Sequence, residues 1–493
     1  MGQAPSAPKE RPSLPPQNDR KGVQGEAKTS RVAKGKRKKG MNDVANEQSR
    51  DRRKKRRRKA SKKRNPDATL EAMPPGIRLE IMALLHLDDL QQLVQASPNY
   101  LQLYRQHRPY ILRHSFVSSL EHVLLEAVTV LFTKRLVPFS TASDTHTFKT
   151  IVNQFHSMRG REPYAKSQLI ENMEAHEIEA MAKFYYSVIQ PLTEFLPRQA
   201  LPRLVARDFD RENFPASLCQ TRAMFSWPEN EPPPTVTEKF RFMRALYRYQ
   251  ILCNVYGIGA ARMGIYGPAY LCHLMDWSKP EGLLPLYLDH FNPWEIEEMN
   301  CVHVLATEKV NQIFYQLKLI YDRQQPLILD HPNVAQILLL GDLVTIGLPQ
   351  LIRIMSKEKD YESLMSFIYE RVDDYHQGCQ ADRRKNINEQ SQEMSVPFLN
   401  TQPTTPCHAE TPKAFLGDHE PDEQGNMEPP LAWILMCNKF SGSLDRSRLD
   451  DRMRGWGYVM WDAYRLKRLG GDSIVVQQFH EFGCGEDDRR KRF

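Results

Sequence analysis

The chain has 493 residues with 68 Lys and Arg against 60 Asp and Glu, and its formal charge of +8 averages two unlike parts. Residues 1–65 hold 23 basic and 6 acidic residues, a local charge of +17, and no aromatic residue, the first in the chain being Tyr100. The remainder holds 45 basic and 54 acidic residues, a charge of −9. A segment so charged and so poor in apolar groups cannot bury enough surface to offset its ordering entropy. Residues 1–65 are therefore expected to be a disordered basic tail outside any core.

About 430 residues remain, enough for two or three average domains or one large helical mass. A membrane helix needs about 20 predominantly apolar residues. The best run, His122 to Phe132, is shorter and is cut by Glu126, so no transmembrane segment is expected. The opening MGQAPSAPKE has no apolar stretch of the kind a secretory signal requires, and none is expected. The eight cysteines are scattered without a CxxC pair, which favours reduced thiols over a disulfide framework.

Two basic clusters mark the tail, Lys34–Lys39 and Arg52–Arg64. In the second, Arg52, Arg53, Lys54, Lys55, Arg56, Arg57, Arg58, Lys59, Lys62, Lys63 and Arg64 fill eleven of thirteen positions. Such density fits a nuclear address. It also fits nonspecific contact with RNA or DNA by phosphate neutralisation, since no aromatic is interleaved to read a base. A solvated charge run is the plainer alternative. Ser61 lies within the cluster, where phosphorylation would subtract charge. Met1-Gly2-Gln3-Ala4-Pro5-Ser6 also fits the loose myristoylation pattern at Gly2.

From residue 66 the pattern becomes periodic and apolar. Within 66–115, three short helices are expected. The first starts at Pro74-Pro75 and sets Ile77, Ile81, Leu84 and Leu85 on one face. Asp88 is placed to cap a second helix presenting Leu90, Leu93 and Val94. Ser97-Pro98 opens a third, with Leu101 and Tyr104 inward.

The body, 116–376, reads as almost entirely helical over 117–135, 167–190, 236–256, 293–321, 342–357 and 360–376. In 293–321, Ile296, Met299, Val302, Leu305, Val310, Ile313, Leu317 and Ile320 form one stripe. Breaks are expected at Pro197/Pro202, Pro228–Pro234 and Pro280/Pro285. Residues 377–430 turn to Gln, Asn, Thr, Pro and acids and read as a disordered linker, where Thr405 and Thr411 precede prolines and are candidate phosphorylation sites. Order is expected to resume near Leu431, in a C-terminal segment, 431–475, that packs on the body. Its last amphipathic helix, Arg452 to Leu469, would be anchored by Trp456, Val459, Met460 and Tyr464 and stopped by Gly470-Gly471. A charged tail, 476–493, follows. The fold class is all-α.

Residues 73–112 carry a resemblance. Met73-Pro74-Pro75-Gly76-Ile77, Ile81, Leu84-Leu85, Asp89-Leu90, Leu93-Val94 and Ala96-Ser97-Pro98 follow the order of an F-box, in the form common in filamentous fungi. Met73 stands where that family has Leu, and Gly76 where it has Glu. The resemblance implies a non-catalytic substrate adaptor. Its F-box would bind a Skp-type linker, the linker would join it to a cullin scaffold, and the helical body would hold an unknown protein substrate. It implies Pro74, Ile77, Ile81, Leu84, Leu85, Leu90 and Leu93 as linker contacts or F-box core, without separating the two. A nuclear RNA- or chromatin-associated helical scaffold with no ligase role is the alternative. The segment near Arg454–Asp462 and Arg465-Leu466 also looks like a closing segment of such fungal proteins, and implies no chemistry.

No catalytic constellation is visible. Cys301-x-His303, Cys407-His408 and His480-x3-Cys484 belong to no four-ligand set, so neither metal nor cofactor is expected. Gly257-Ile258-Gly259 and Gly264 miss the dinucleotide spacing, and GxxxxGK, HExxH and GxSxG are absent from the sequence. The tail is testable by itself: residues 1–65 fused to a reporter are expected to concentrate it in nuclei. Replacing the eleven basic residues of Arg52–Arg64 with Gln is expected to abolish the accumulation seen by microscopy.

Overall fold

The structure is a computed structural model that describes residues 70–134, 142–159, 168–206, 227–228, 230–255, 287–288, 291–321, 344, 347–360, 362–367, 414–422, 426–439 and 451–479. The basic tail, Ser61, Thr405, Thr411, the glycines at 257–264 and the pairs Cys407-His408 and His480-x3-Cys484 lie outside the described residues. Two units are separated at residue 72. Of the first, only a single 3-10 turn, Leu70–Ala72, is described. The second, Met73–Phe493, holds everything below.

The described regular elements are all helical. They are α1 (Pro75–Leu84), α2 (Leu87–Ala96), α3 (Pro98–Leu120), α4 (Leu124–Lys134), α5 (Ala142–Arg159), α6 (Ala175–Phe184), α7 (Gln190–Ala206), α8 (Val236–Val255), α9 (Pro293–Tyr321), α10 (Leu348–Ser356), α11 (Leu431–Lys439), α12 (Asp451–Gly455), α13 (Ala463–Arg468) and α14 (Gly471–Gln478). A π-helical turn, Tyr185–Ile189, joins α6 to α7. No described helix is long and apolar enough to cross a membrane. One hydrophobic cluster runs from Met82 in α1 to Phe479. The boundary expected at 115/116 falls inside α3, where Ser115 and Phe116 are both buried, and the one at 475/476 falls inside α14.

Local reasons for several elements are plain. Pro75, Pro98 and Pro293 open their helices, where a missing N–H costs nothing. Helix α3 kinks at His107, two residues before the internal Pro109. Pro197 and Pro202, expected as breaks, lie inside α7 instead. Leu192, Leu196, Ala200, Leu201 and Leu204 of that helix are fully buried, and tertiary packing outweighs the two lost backbone bonds.

The centre of the body is charged as well as apolar. Ile296, Met299, Val302, Leu305, Val310 and Ile313 of α9 are buried as the stripe requires, but so are Glu295, Glu297, Glu298, Asn300, His303 and Lys309. The first turns of α9 thus enter the core on every side. Arg241, Arg244 and Arg248, at i, i+3 and i+7, share one face of α8. Arg244 grips Glu298 with bonds of 2.7–3.0 Å and also meets Glu295 at 3.0 Å. Arg248 bridges Glu295 and Glu126 of α4, both at 2.9 Å, and its guanidinium lies 4.4 Å from the Phe291 ring centroid. Arg159 of α5 adds a third cation to Glu295 at 2.9 Å, and Asn292 N–H donates to the same carboxylate.

The C-terminal segment closes this core. Instead of one helix over Arg452–Leu469, α12 and α13 flank a turn in which Trp456, Tyr458, Val459, Met460 and Trp461 are fully buried. The turn depends on Gly457, whose φ of +67° lies in the left-handed region. Both indoles are satisfied, Trp456 Nε1 donating to Gln478 Oε1 at 2.9 Å and Trp461 Nε1 to the Trp456 carbonyl at 2.8 Å. Tyr464, expected as an anchor, is 75% exposed because α13 buries Arg465 and Leu466 on its other side. Gly470, left-handed at φ +70°, ends α13 as expected, and α14 runs on to Gln478, past residue 475 where a tail was expected to begin.

Arg454 binds Glu297 twice at 3.0 Å, and Arg465 binds Glu238 of α8 at 2.8 and 2.9 Å. Asp462 stands at the N-cap position of α13, and its carboxylate accepts from Arg241 and Thr237. The latter part of the expected linker is also built in. Asp418 pairs with Arg241 at 2.9 Å and accepts the Ala463 N–H at 2.6 Å, so described contacts begin well before Leu431. A short acidic stretch reads as linker from composition alone, and only the arginine opposite it shows otherwise.

Burial by itself would raise the Glu295 carboxyl, but Arg248, Arg244 and Arg159 overcome this and hold it well below the ordinary carboxylate range. A depressed folded-state pKa contributes stability that is complete above the unfolded value near 4.5 and is lost on acidification below it. Glu295→Gln leaves three guanidiniums short of an anion and is expected to cost about 3–5 kcal/mol. Urea titration near neutrality checks the cost. Repeating it at lower pH should show the difference between variant and wild type shrinking.

Candidate docking site

Helices α1 and α2 both pack on α3. Helix α1 carries two apolar stripes, and one neighbour can cover only one of them. The covered stripe is Leu79, Met82 and Ala83. Ser115 of α3 donates to the Met82 carbonyl at 3.4 Å, and Leu87 N–H donates to Ser119 Oγ at 2.8 Å, so α3 holds both the end of α1 and the start of α2.

The other stripe faces outward. Ile77 is 51% exposed and Leu84 77%, with Ile81 half-buried between them and Met73, 37% exposed, just before the helix. Positions 73, 77, 81 and 84 are at i, i+4, i+8 and i+11, which places the helical ones on a single face. Pro74 is exposed at the N-cap, with its carbonyl accepting from Arg78 N–H at 3.1 Å. A side chain at Gly76 would meet nothing within 4 Å, so the first turn of this face is bare.

The seven residues implied as linker contacts or F-box core therefore separate. Ile77, Leu84 and Pro74 are exposed, Leu90 is buried, and Ile81, Leu85 and Leu93 are intermediate. Leu85 is the C-cap of α1, outside the helical face on which periodicity set it, and packs inward. Asp88 lies in the first turn of α2, not at its cap, which is His86. In the first turns of the third helix Tyr100 and Leu103 are buried, while the expected Leu101 and Tyr104 are half-buried, Tyr104 packing against the core. Ser97 caps that helix as expected, accepting from Tyr100 N–H.

Asp88 does other work. Its Oδ1 accepts from Tyr185 OH at 2.9 Å and from Gln190 Nε2 at 2.8 Å. Tyr186 OH donates to the Leu87 carbonyl at 2.8 Å. Burial first, and the Asp88 charge after it, push the Tyr185 phenol up, so it stays a neutral donor. Burial likewise raises Tyr186.

Cys301 and His303 meet different neighbours. Cys301 is raised by burial and hydrogen-bonds toward the Val459 backbone, whereas His303 Nδ1 lies 3.0 Å from Tyr249 OH. Burial lowers His303 to about 4. No group of three or more metal-capable side chains occurs among the described residues.

No family model matches the chain, and no curated protein or solved structure matches it either.

Exposure separates the two kinds of position experimentally. Ile77→Asp with Leu84→Asp removes no core contact and is expected to shift unfolding stability by less than about 1 kcal/mol. Leu90→Ala empties a buried site and is expected to cost about 2–4 kcal/mol. Chemical denaturation of the three chains makes the comparison.

Proposed function

We propose that the chain is the substrate adaptor of a cullin-based ubiquitin ligase, docking a Skp-type linker on the outward face of α1. The observation that carries this reading is the second apolar stripe. Ile77 and Leu84 lie in water on a helix whose opposite side is already buried, so folding gains nothing from them. The order of residues from Met73 to Pro98 supports the family of partner. Association would bury the stripe, and each well-packed aliphatic anchor contributes about 1.5–3 kcal/mol.

The adaptor would act by effective concentration and not by chemistry of its own. A target held on the body meets the transfer machinery as part of one assembly, which makes the reaction nearly intramolecular. The nuclear scaffold alternative rests on the basic tail and needs no exposed face on α1.

Co-purification of the full chain with a Skp-type linker tests the proposal. Wild type is expected to retain the linker, and Ile77→Asp with Leu84→Asp to weaken it by about 100-fold or more, two lost anchors at about 1.4 kcal/mol per tenfold. Absence of association by wild type overturns the adaptor reading. Retention on nucleic acid that is nuclease-sensitive and disappears without residues 1–65 would then favour the scaffold.

A further inference from the structure

Two consecutive tyrosines on an unusual turn reach the same neighbour. In an α-helix successive side chains diverge by about 100°, so adjacent residues rarely serve one partner helix. Tyr185 and Tyr186 open the π-helical turn, whose closing bond runs from Gln190 N–H to the Tyr185 carbonyl. An i→i+5 turn holds more residues per revolution, so consecutive side chains diverge less. Both hydroxyls then bond to the first turn of α2, Tyr185 to the Asp88 carboxylate and Tyr186 to the Leu87 carbonyl. The rings pack edge to face with centroids 5.3 Å apart. Gln190, first residue of α7, adds a second donor to Asp88.

The location gives these bonds a consequence. Helices α1 and α2 otherwise rest on α3, which is itself kinked at His107. The π turn is continuous with α6 and α7, and α7 packs on α8 and α9. It links α2 to the charged core by a route separate from α3. π turns inserted in α-helices are uncommon and occur frequently at functional sites.

We infer that Tyr185 and Tyr186 are positioning residues, clamping α2 to the body so that the outward face of α1 keeps one orientation relative to the surface that holds a target. The functional consequence rests on the adaptor reading. The clamp itself does not. Fixed orientation would restrict which lysines the assembled ligase reaches. In that step a lysine Nζ attacks the ubiquitin thioester carried by a conjugating-enzyme cysteine, an isopeptide bond forms, and the cysteine leaves as a thiol.

The test uses the full chain with Tyr185→Phe and Tyr186→Phe together, which removes two hydroxyls and keeps both rings. Amide hydrogen exchange over Leu87–Ala96 is expected to accelerate about tenfold while residues 293–313 in α9 are unchanged. In an assembly reconstituted with a Skp-type linker, linker affinity is expected to stay within twofold. The modified body lysines, mapped by mass spectrometry, are expected to spread from a few positions to many. A merely structural role would not move that pattern at constant linker affinity.

Exchange over α2 that is unchanged, or that rises equally in α9, overturns the clamp. An unchanged lysine pattern overturns its positioning role. Should the double variant fail to fold, Asp88→Ala removes the acceptor of Tyr185 and Gln190 at an exposed position and is expected to accelerate α2 exchange in the same direction. Failure of wild type to bind the linker removes the adaptor reading alone, because the exchange measurement needs no linker.

Discussion

The carboxylates at the start of α9 are the constraint around which the body is arranged. Glu295, Glu297 and Glu298 lie in the interior, and a carboxylate taken out of water is strongly unfavourable unless charge and hydrogen bonds replace its hydration. The replacements come from far along the chain in both directions. Arg159, Arg244 and Arg248 surround Glu295, Arg244 grips Glu298, and Arg454 holds Glu297. An ion lattice of this kind adds little net stability compared with well-packed apolar groups, but it penalises every arrangement in which one member lacks its partner. Its effect here is to make one packing of α4, α5, α8, α9 and α12 much better than the alternatives.

That lattice also explains why the C-terminal segment is part of the core and not an appendage. Trp456 and Trp461 bring large apolar surfaces, while Arg454, Asp462 and Arg465 answer charges already fixed on α8 and α9. Asp418 enters the same set through Arg241. The core is therefore complete only when residues near 460 have met residues near 240 and 300. Contacts of such sequence separation are costly to close and favour slow, cooperative folding.

Beside this charged core the α1–α2 segment is lightly built. Its helices are ten residues each, and α1 buries only Met82 and Ala83 completely. A second apolar stripe on so short a helix is a liability in water unless another surface covers it. The π-turn tyrosines and Ser115 and Ser119 hold α1 and α2 by polar contacts, none of which covers the stripe. The outward face of α1 is thus presented by the fold and left open by it.

Helix content was legible in the sequence because apolar spacing at three and four residues is a local signal, and proline and serine at 74–75, 97–98 and 293 marked the helix starts. The order of residues from Met73 to Pro98 was enough to mark a segment of successive helices. Which of its apolar residues face water was not, since α1 has two stripes and only the position of α3 decides between them. Pro197 and Pro202 misled for the same reason: their local cost is visible, and the burial that outweighs it is not. Charge is the clearest case. Glu126 reads as a break in an apolar run and Asp418 as part of a linker, and the acids of α9 lie off its apolar stripe. Glu126 and the α9 acids are buried and Asp418 is half-buried, each with a guanidinium from elsewhere in the chain within about 3 Å. Periodicity and capping act over a few residues, so the sequence by itself determined the helices. Partner choice for a buried charge or a second apolar stripe acts over hundreds, and only the tertiary structure decided it.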